Sequence, residues 1–270
     1  MRWTRRARRP LRWLSRIPSP ETSAAAVSCT EAAGGRVVRI TSGANLEFPT
    51  DALLQAINER TKLIYLTDPN NPSGCPIPPA AVERIAAAAP GALVLVDEAY
   101  GDFSRHTFIG PVLDRLRNLV VGRTFAKAYG LAALRIGALV AHKDTLDALR
   151  RILPPYSINV CAIRGLTAAL RDKTFLNDYV GQSGKSRELI YAFCQRRQLP
   201  YWPSEANFVL LRVGPDAPDI VRGLAQRGIF VRDRSNQPGC AGCIRITAGV
   251  VAHTQRCLEA LEDVLASSAR

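Results

Sequence analysis

Along the first half of this chain, short aliphatic and β-branched runs alternate with stretches of helix length. The runs GRVVRI (35–40), KLIYL (62–66), ALVLVD (92–97), NLVVG (118–122) and RIGALVA (135–141) predict strands. Between them, Thr50 is placed to cap a helix running to about Glu59, and Pro79 to open one running to about Ala88. Strands alternating with helices predict a mostly parallel sheet covered by helices, and strands with little polar alternation predict burial on both faces.

After Lys143 the pattern changes. Helical periodicity covers 143–152 and 160–171, and a long polar helix is expected from about 174 to 198. The runs NFVLLRV (207–213), GIFVR (228–232) and CIRIT (243–247) then alternate with helices near 216–226 and 252–266, the pattern of a smaller α+β domain. The expected organisation is an Arg-rich leader over 1–19, disordered; a large α/β domain over 20–150; and a small C-terminal domain over 151–270 joined by the long helix.

Composition adds limits. A chain of 270 residues that is 47% hydrophobic can bury a large core. Its net charge of +13 is concentrated at the front, where Arg2, Arg5, Arg6, Arg8, Arg9, Arg12 and Arg16 precede the first acid, Glu21. With no apolar core the leader does not read as a secretory signal; a plain extension is favoured over a transit peptide or a nucleic-acid arm. Seven cysteines scattered over a long chain fit reduced thiols and a cytoplasmic location. Cys240 and Cys243 form a lone CxxC with no second pair and no histidine at ligand spacing, so no metal is expected. No run of about 20 apolar residues predicts a membrane span.

The chemistry concentrates in three segments. GRTFAKAYGLAALRIGALVA puts two permanent cations, Lys127 and Arg135, into a run that reads as interior. A buried charge needs a counter-charge, a covalent bond that removes it, or an exit to water. TDPNNPSG follows a strand and offers Asn71 on a Pro-bounded loop, although the same residues would build an ordinary turn. LVLVDEAYGDF ends an aliphatic strand on Asp97 with Tyr100 three residues later; the carboxylate either faces a cation or caps the next helix. A lysine that forms an imine with an aldehyde, an arginine suited to a phosphate and an aspartate suited to a protonated ring nitrogen together fit one coenzyme, pyridoxal phosphate.

DPNNPSG, VDEAYGDF, GRTFAKAYGLAALRIG and CIRITAG stand in the order and spacing of the fold-type I pyridoxal-phosphate aminotransferases, classes I and II, which the chain resembles from about Pro20 to Arg270. PPYSIN, PSEANF and FVRDRS are most similar to the histidinol-phosphate aminotransferases within that family. The resemblance implies a three-layer large domain, mostly parallel sheet with helices on both faces, and a smaller α+β domain. It implies that Lys127 carries the coenzyme covalently and moves the proton, and that Asp97 pairs with the ring nitrogen. Asn71 and Tyr100 would hydrogen-bond the ring 3-oxygen, Arg135 the phosphate, Arg245 the anionic group of the substrate, with Asn207 assisting. The implied partners are a small-molecule amino donor, an oxo-acid acceptor and a second copy of the chain, without membrane or nucleic acid.

The likeness also has gaps. Relatives carry about 80 to 90 residues before the point matching Pro20, with an arm to the partner subunit and a helix N-terminus for the phosphate. They place an aromatic ring near the position of Thr22 and Ser or Thr at the position of Ala126. Impaired cofactor binding is therefore expected. Two alternatives remain open: another enzyme on the same scaffold, such as a threonine-phosphate decarboxylase, or a non-catalytic remnant with a basic binding arm.

Overall fold

A strand, Arg12–Arg16, lies within the region expected to be loose leader. The computed structural model describes residues 12–16, 20–43 and 45–268, and the leader arginines Arg2 to Arg9 lie outside them. Arg12–Arg16 forms strand β1, followed by α1 (Pro20–Ala32), β2 (Arg36–Ile40), α2 (Thr50–Ala56), β3 (Thr61–Thr67), α3 (Pro79–Ala88), β4 (Leu93–Asp97), α4 (Val112–Arg115), β5 (Leu119–Thr124) and β6 (Gly137–Ala141). These strands make one six-stranded sheet in the order β2-β1-β3-β4-β5-β6.

One expectation is corrected here, and the mostly parallel sheet gains one antiparallel strand. The segment Arg12–Arg16 is not disordered: its backbone pairs in parallel with both β2 and β3, filling a place that would otherwise leave two strand edges open. Ladder bonds use only main-chain groups, so an Arg-rich composition does not forbid them. β6 runs antiparallel to β5, because the segment 125–136 between them is built of turns and a single 3-10 turn (Ala132–Leu134), with no crossover helix to return the chain in parallel.

The main core lies on one face of this sheet. Ile64, Leu66, Val94, Val96, Leu119 and Val121 pack against Leu53 of α2, Val82 and Ile85 of α3 and Leu113 of α4. The other face is covered less completely. Tyr65, Leu63 and Leu95 meet Val27 of α1, whereas Gly137, Ala138 and Leu139 of β6 are exposed. Burial on both faces therefore holds only in part: along β4 the residues alternate between fully and partly buried, a difference the uniformly aliphatic sequence could not signal.

Beyond the first sheet come α5 (Lys143–Arg150), α6 (Val160–Arg171) and α7 (Lys173–Arg196); Asn159 and Asp172 cap α6 and α7 by accepting from the amides of Ala162 and Phe175. Then follow β7 (Tyr201–Trp202), β8 (Phe208–Arg212), α8 (Ala217–Gln226), β9 (Arg232–Asp233), β10 (Cys243–Thr247) and α9 (Val251–Ser268). The four strands form an antiparallel sheet, β7-β8-β10-β9, with Val209, Leu211, Ile244 and Ile246 packed on Ile190, Phe193, Ile220, Leu224 and Leu261 of the helices. β9 is shorter than the run 228–232 suggests, and β7 gave no recognisable run. Among the described residues, no helix is long and apolar enough to cross a membrane.

Candidate active site

Parallel register aligns the chemistry. Thr67 lies beside Asp97, and Asp97 beside Gly122, so the carboxyl ends of β3, β4 and β5 and the loops that leave them share one end of the sheet. The loop after β3 is rigid. Thr67 donates to the side chain of Asn70 at 2.9 Å, Asn70 donates to Ser73 Oγ at 2.8 Å, and the Gly74 amide donates to Asn70 O at 2.7 Å. Asn70 is thus spent on the loop itself, whereas Asn71, also buried, reaches out of the loop. Asn71 Oδ1 accepts from Arg245 Nη1 at 2.6 Å, joining this loop to β10. The Arg245 guanidinium also lies 4.6 Å from the ring centre of Phe208, which meets the Tyr100 ring edge-on at 5.0 Å.

Asp97 accepts from the Tyr65 hydroxyl at Oδ2 and from the Ala99 amide at Oδ1, 3.0 Å away. Burial pushes its pKa up; the two hydrogen bonds and the nearby Lys127 pull in the opposite direction. Lys127 Nζ stands 5.4 Å from the ring centre of Tyr100. Arg135 has left-handed backbone, φ 51°, and donates from Nη1 to Ala132 O at 3.0 Å. Neither cation is interior. Both are exposed, so the apolar run resolves its two charges by an exit to water through the turns of 125–136.

A cavity of about 420 Å³ lies beside the second sheet, and a larger one of about 580 Å³ sits on the less covered face of the first sheet. The larger is lined by Asp97, Tyr65, Thr124 and Arg135 among others, which puts the expected acid and the expected phosphate ligand in one space. Lys127, Tyr100, Asn71 and Arg245 do not line it; they form the neighbouring group of contacts just described. Asn207 is half-buried just before Phe208, its carbonyl accepting from the Ala248 amide at 2.8 Å, and it lines neither space.

Several participants were not legible beforehand. Tyr65 reads as an ordinary aromatic in an aliphatic strand, yet it reaches Asp97. Thr124 lines the cavity and accepts from the Ala126 amide at 3.2 Å, so a hydroxyl stands two residues from the alanine that departs from the family pattern. Glu98, fully buried beside Asp97, is held by Arg123 at 2.7 Å, Thr107 at 2.6 Å and the Phe108 amide at 2.6 Å; Arg123 also grips Asp102 at 2.7 Å. The signal for that group was the second acid of VDEAY and the arginine of GRTF, two more charges beside apolar runs. Among the described residues no group of three or more His, Cys, Asp or Glu side chains is arranged to hold a metal ion.

Residues 18–263 match the family described as aminotransferase class I and II. The chain belongs to that family. Among its relatives, a histidinol-phosphate aminotransferase of Cytophaga hutchinsonii is 37% identical over 218 residues, which is 80% of this chain and 62% of that protein. This aminotransferase-family chain therefore spans about three fifths of the length of the curated relatives it matches. A solved histidinol-phosphate aminotransferase from Sinorhizobium meliloti, in complex with pyridoxal-5'-phosphate, superposes with a TM-score of 0.81 at 29% identity, covering 96% of this chain and 71% of that one. The L-threonine-O-3-phosphate decarboxylase of Porphyromonas gingivalis superposes with a TM-score of 0.74 at 25% identity, over 96% and 78% of the two chains. Both likenesses support the two-sheet class I and II fold, with its mostly parallel large sheet.

Proposed function

We propose that this aminotransferase-family chain binds pyridoxal phosphate and transaminates histidinol phosphate with 2-oxoglutarate as acceptor, giving imidazole-acetol phosphate and glutamate. The observation that carries the reading is the single cavity lined by Asp97 and Arg135, an anion and a cation in one space at the carboxyl end of β4, with the exposed amine of Lys127 on the adjoining loop. That donor set fits the coenzyme: a carboxylate for a protonated ring nitrogen, a guanidinium and the Thr124 hydroxyl for a phosphate, and a primary amine for an aldehyde. When bound, the coenzyme supplies an electron sink for charge developing at the substrate α-carbon.

The residues divide the remaining work. Asp97, held by two donors, would face the ring nitrogen and favour its protonated form. The Asn71 amide and the Tyr100 hydroxyl would hydrogen-bond the ring 3-oxygen. Lys127 Nζ would hold the coenzyme through its aldehyde carbon and would carry the proton that leaves the substrate α-carbon to that same coenzyme carbon. Arg245, already oriented by Asn71 and Phe208, offers its fork of donors to a carboxylate or a phosphate alike, and Asn207 stands at the substrate side. That indifference suits an enzyme that must accept both glutamate and a phosphorylated amine.

A second copy of the chain is the partner this reading favours. Ile152, Leu153, Ile158, Val160 and Ile163 are exposed over one short stretch, a cluster of apolar side chains of the kind found at contacts between proteins. The thiols of Cys29, Cys161, Cys194, Cys240, Cys243 and Cys257 are not in disulfides, in keeping with a cytoplasmic site. Phosphothreonine decarboxylation is the second reading, favoured by the superposition on the Porphyromonas gingivalis enzyme.

Pyridoxal phosphate titrated into the full chain should develop the visible band of a lysine-bound coenzyme, and Lys127→Ala should abolish it while lowering turnover by about 10³-fold or more. Glutamate formed from 2-oxoglutarate with histidinol phosphate supports the first reading; carbon dioxide released from phosphothreonine supports the second. A featureless spectrum at saturating coenzyme sinks both.

A further inference from the structure

Tyr65 touches the site and has no part in the reading above. It lies in β3, two residues before Thr67, which is aligned with Asp97 of β4, so the pleat turns Tyr65 and Asp97 to the same face of the sheet. Its ring is buried against Val27, Leu63 and Leu95, and its hydroxyl donates to Asp97 Oδ2. We propose that Tyr65 is a positioning residue for Asp97: its hydroxyl fixes the plane of the carboxylate and leaves its remaining lone pairs facing the cavity. What Asp97 is positioned for rests on the functional reading; the positioning does not.

The choice of a phenol has a physical reason. Asp97 is largely withdrawn from water, and without compensation it would bind a proton and lose its charge. Two donors oppose this, the Ala99 amide on Oδ1 and the Tyr65 hydroxyl on Oδ2. Both are neutral. A cation at the position of Tyr65 would stabilise the carboxylate equally well, but it would repel a positively charged ring nitrogen arriving at the same oxygens. A neutral donor supports the charge without cancelling it. Burial and the charge of Asp97 also push the Tyr65 hydroxyl well above its ordinary pKa, so it stays a donor through the working range.

The other charged groups around Asp97 do not replace this bond. Glu98, next in sequence, opposes the ionisation of Asp97, and Lys127, from the connection after β5, favours it from an exposed position. Arg123, Arg135 and Arg150 line the same cavity; Arg123 is committed to Glu98 and Asp102, and Arg135 to Ala132 O.

Tyr65→Phe keeps the packed ring and removes only the donor. The test follows the Asp97 carboxyl group against pH by carbon NMR or infrared difference spectroscopy in the cofactor-free full chain, with Asp97→Asn to assign the signal. The midpoint should rise by about one pH unit or more, a tenfold gain in proton affinity. Fluorotyrosine at position 65, a stronger donor of nearly the same shape, should move it down, and this second arm stands if the phenylalanine variant fails to fold. A midpoint unmoved by both changes overturns the proposal. With pyridoxal phosphate added, Tyr65→Phe should bind it at least about fivefold more weakly. If the midpoint moves but the parent protein never develops a coenzyme band, the aminotransferase reading fails while the role of Tyr65 stands; a band with an unmoved midpoint sinks the role of Tyr65 alone.

Discussion

Asp68 carries a cost that its position explains. It opens the DPNNPSG loop almost fully buried, accepts from the Ile77 amide at 2.6 Å, and lies 2.9 Å from His106 Nε2. Burial pushes its carboxyl up to about 6, while the Ile77 amide and His106 pull downward without overcoming it. A folded-state value above the unfolded one means stability that is fully present below about pH 4 and lost as pH rises through about 6. Asp68→Asn, which keeps an acceptor for Ile77, should therefore lose less stability than the parent between pH 4 and 6.5. The difference should be at most about 3 kcal/mol, at roughly 1.4 kcal/mol per pH unit, read from urea melts at the two pH values. Nothing in the sequence marked Asp68, since Asp before Pro is a common turn. Lys127 and Arg135, by contrast, were conspicuous because charge in an apolar run demands an explanation. The explanation that the structure supplies first is the exposed turn on which both stand.

At the scale of elements, the loops after the strands are the precise parts. Gly74 shows why: with φ +75° it turns the chain back, and a Cβ there would stand 2.0 Å from Ser204 Oγ and 3.0 Å from Ser204 Cα. Its carbonyl accepts from the Glu205 amide at 2.9 Å, so this turn docks the first sheet's loop onto the segment leading into β8. Gly74→Ala should cost roughly 1–3 kcal/mol, through backbone strain and the displaced serine together, measured as a lowered urea midpoint. The strands β3, β4, β5, β8 and β10 were legible because each is a concentrated apolar run with turn residues at its ends. The strands β1 and β7 were not, since their pairing is main-chain bonding that side-chain pattern does not report. The antiparallel entry of β6 was equally hidden: direction depends on the connecting turns, and an apolar strand reads the same either way.

For the whole molecule, the uneven covering of the large sheet is the consequential feature. One face is closed by α2, α3 and α4; the other carries the Asp97 cavity and leads toward the exposed apolar stretch before and within α6. Ile152 and Val160, 78% and 67% exposed and outside the cavity lining, can be changed without touching the site. The double variant Ile152→Lys and Val160→Lys should shift sedimentation from a self-associated species toward monomer at the same concentration, with the melting temperature of the remaining fold little changed. An unchanged sedimentation profile would remove this stretch as the contact between copies. By itself, the sequence determined the order of apolar runs, and with it the α/β class, the two-sheet division and the short list of charged residues that needed a reason. Only the tertiary structure decided which of those residues meet. Register, not composition, set Asp97 between Tyr65 and the cavity, joined Asn71 to Arg245 across 174 positions of chain, and carried Lys127 out to water. Local pattern encodes what each segment buries; the partners of a buried polar atom are fixed by which strand ends arrive side by side, and that is a property of the assembled sheet.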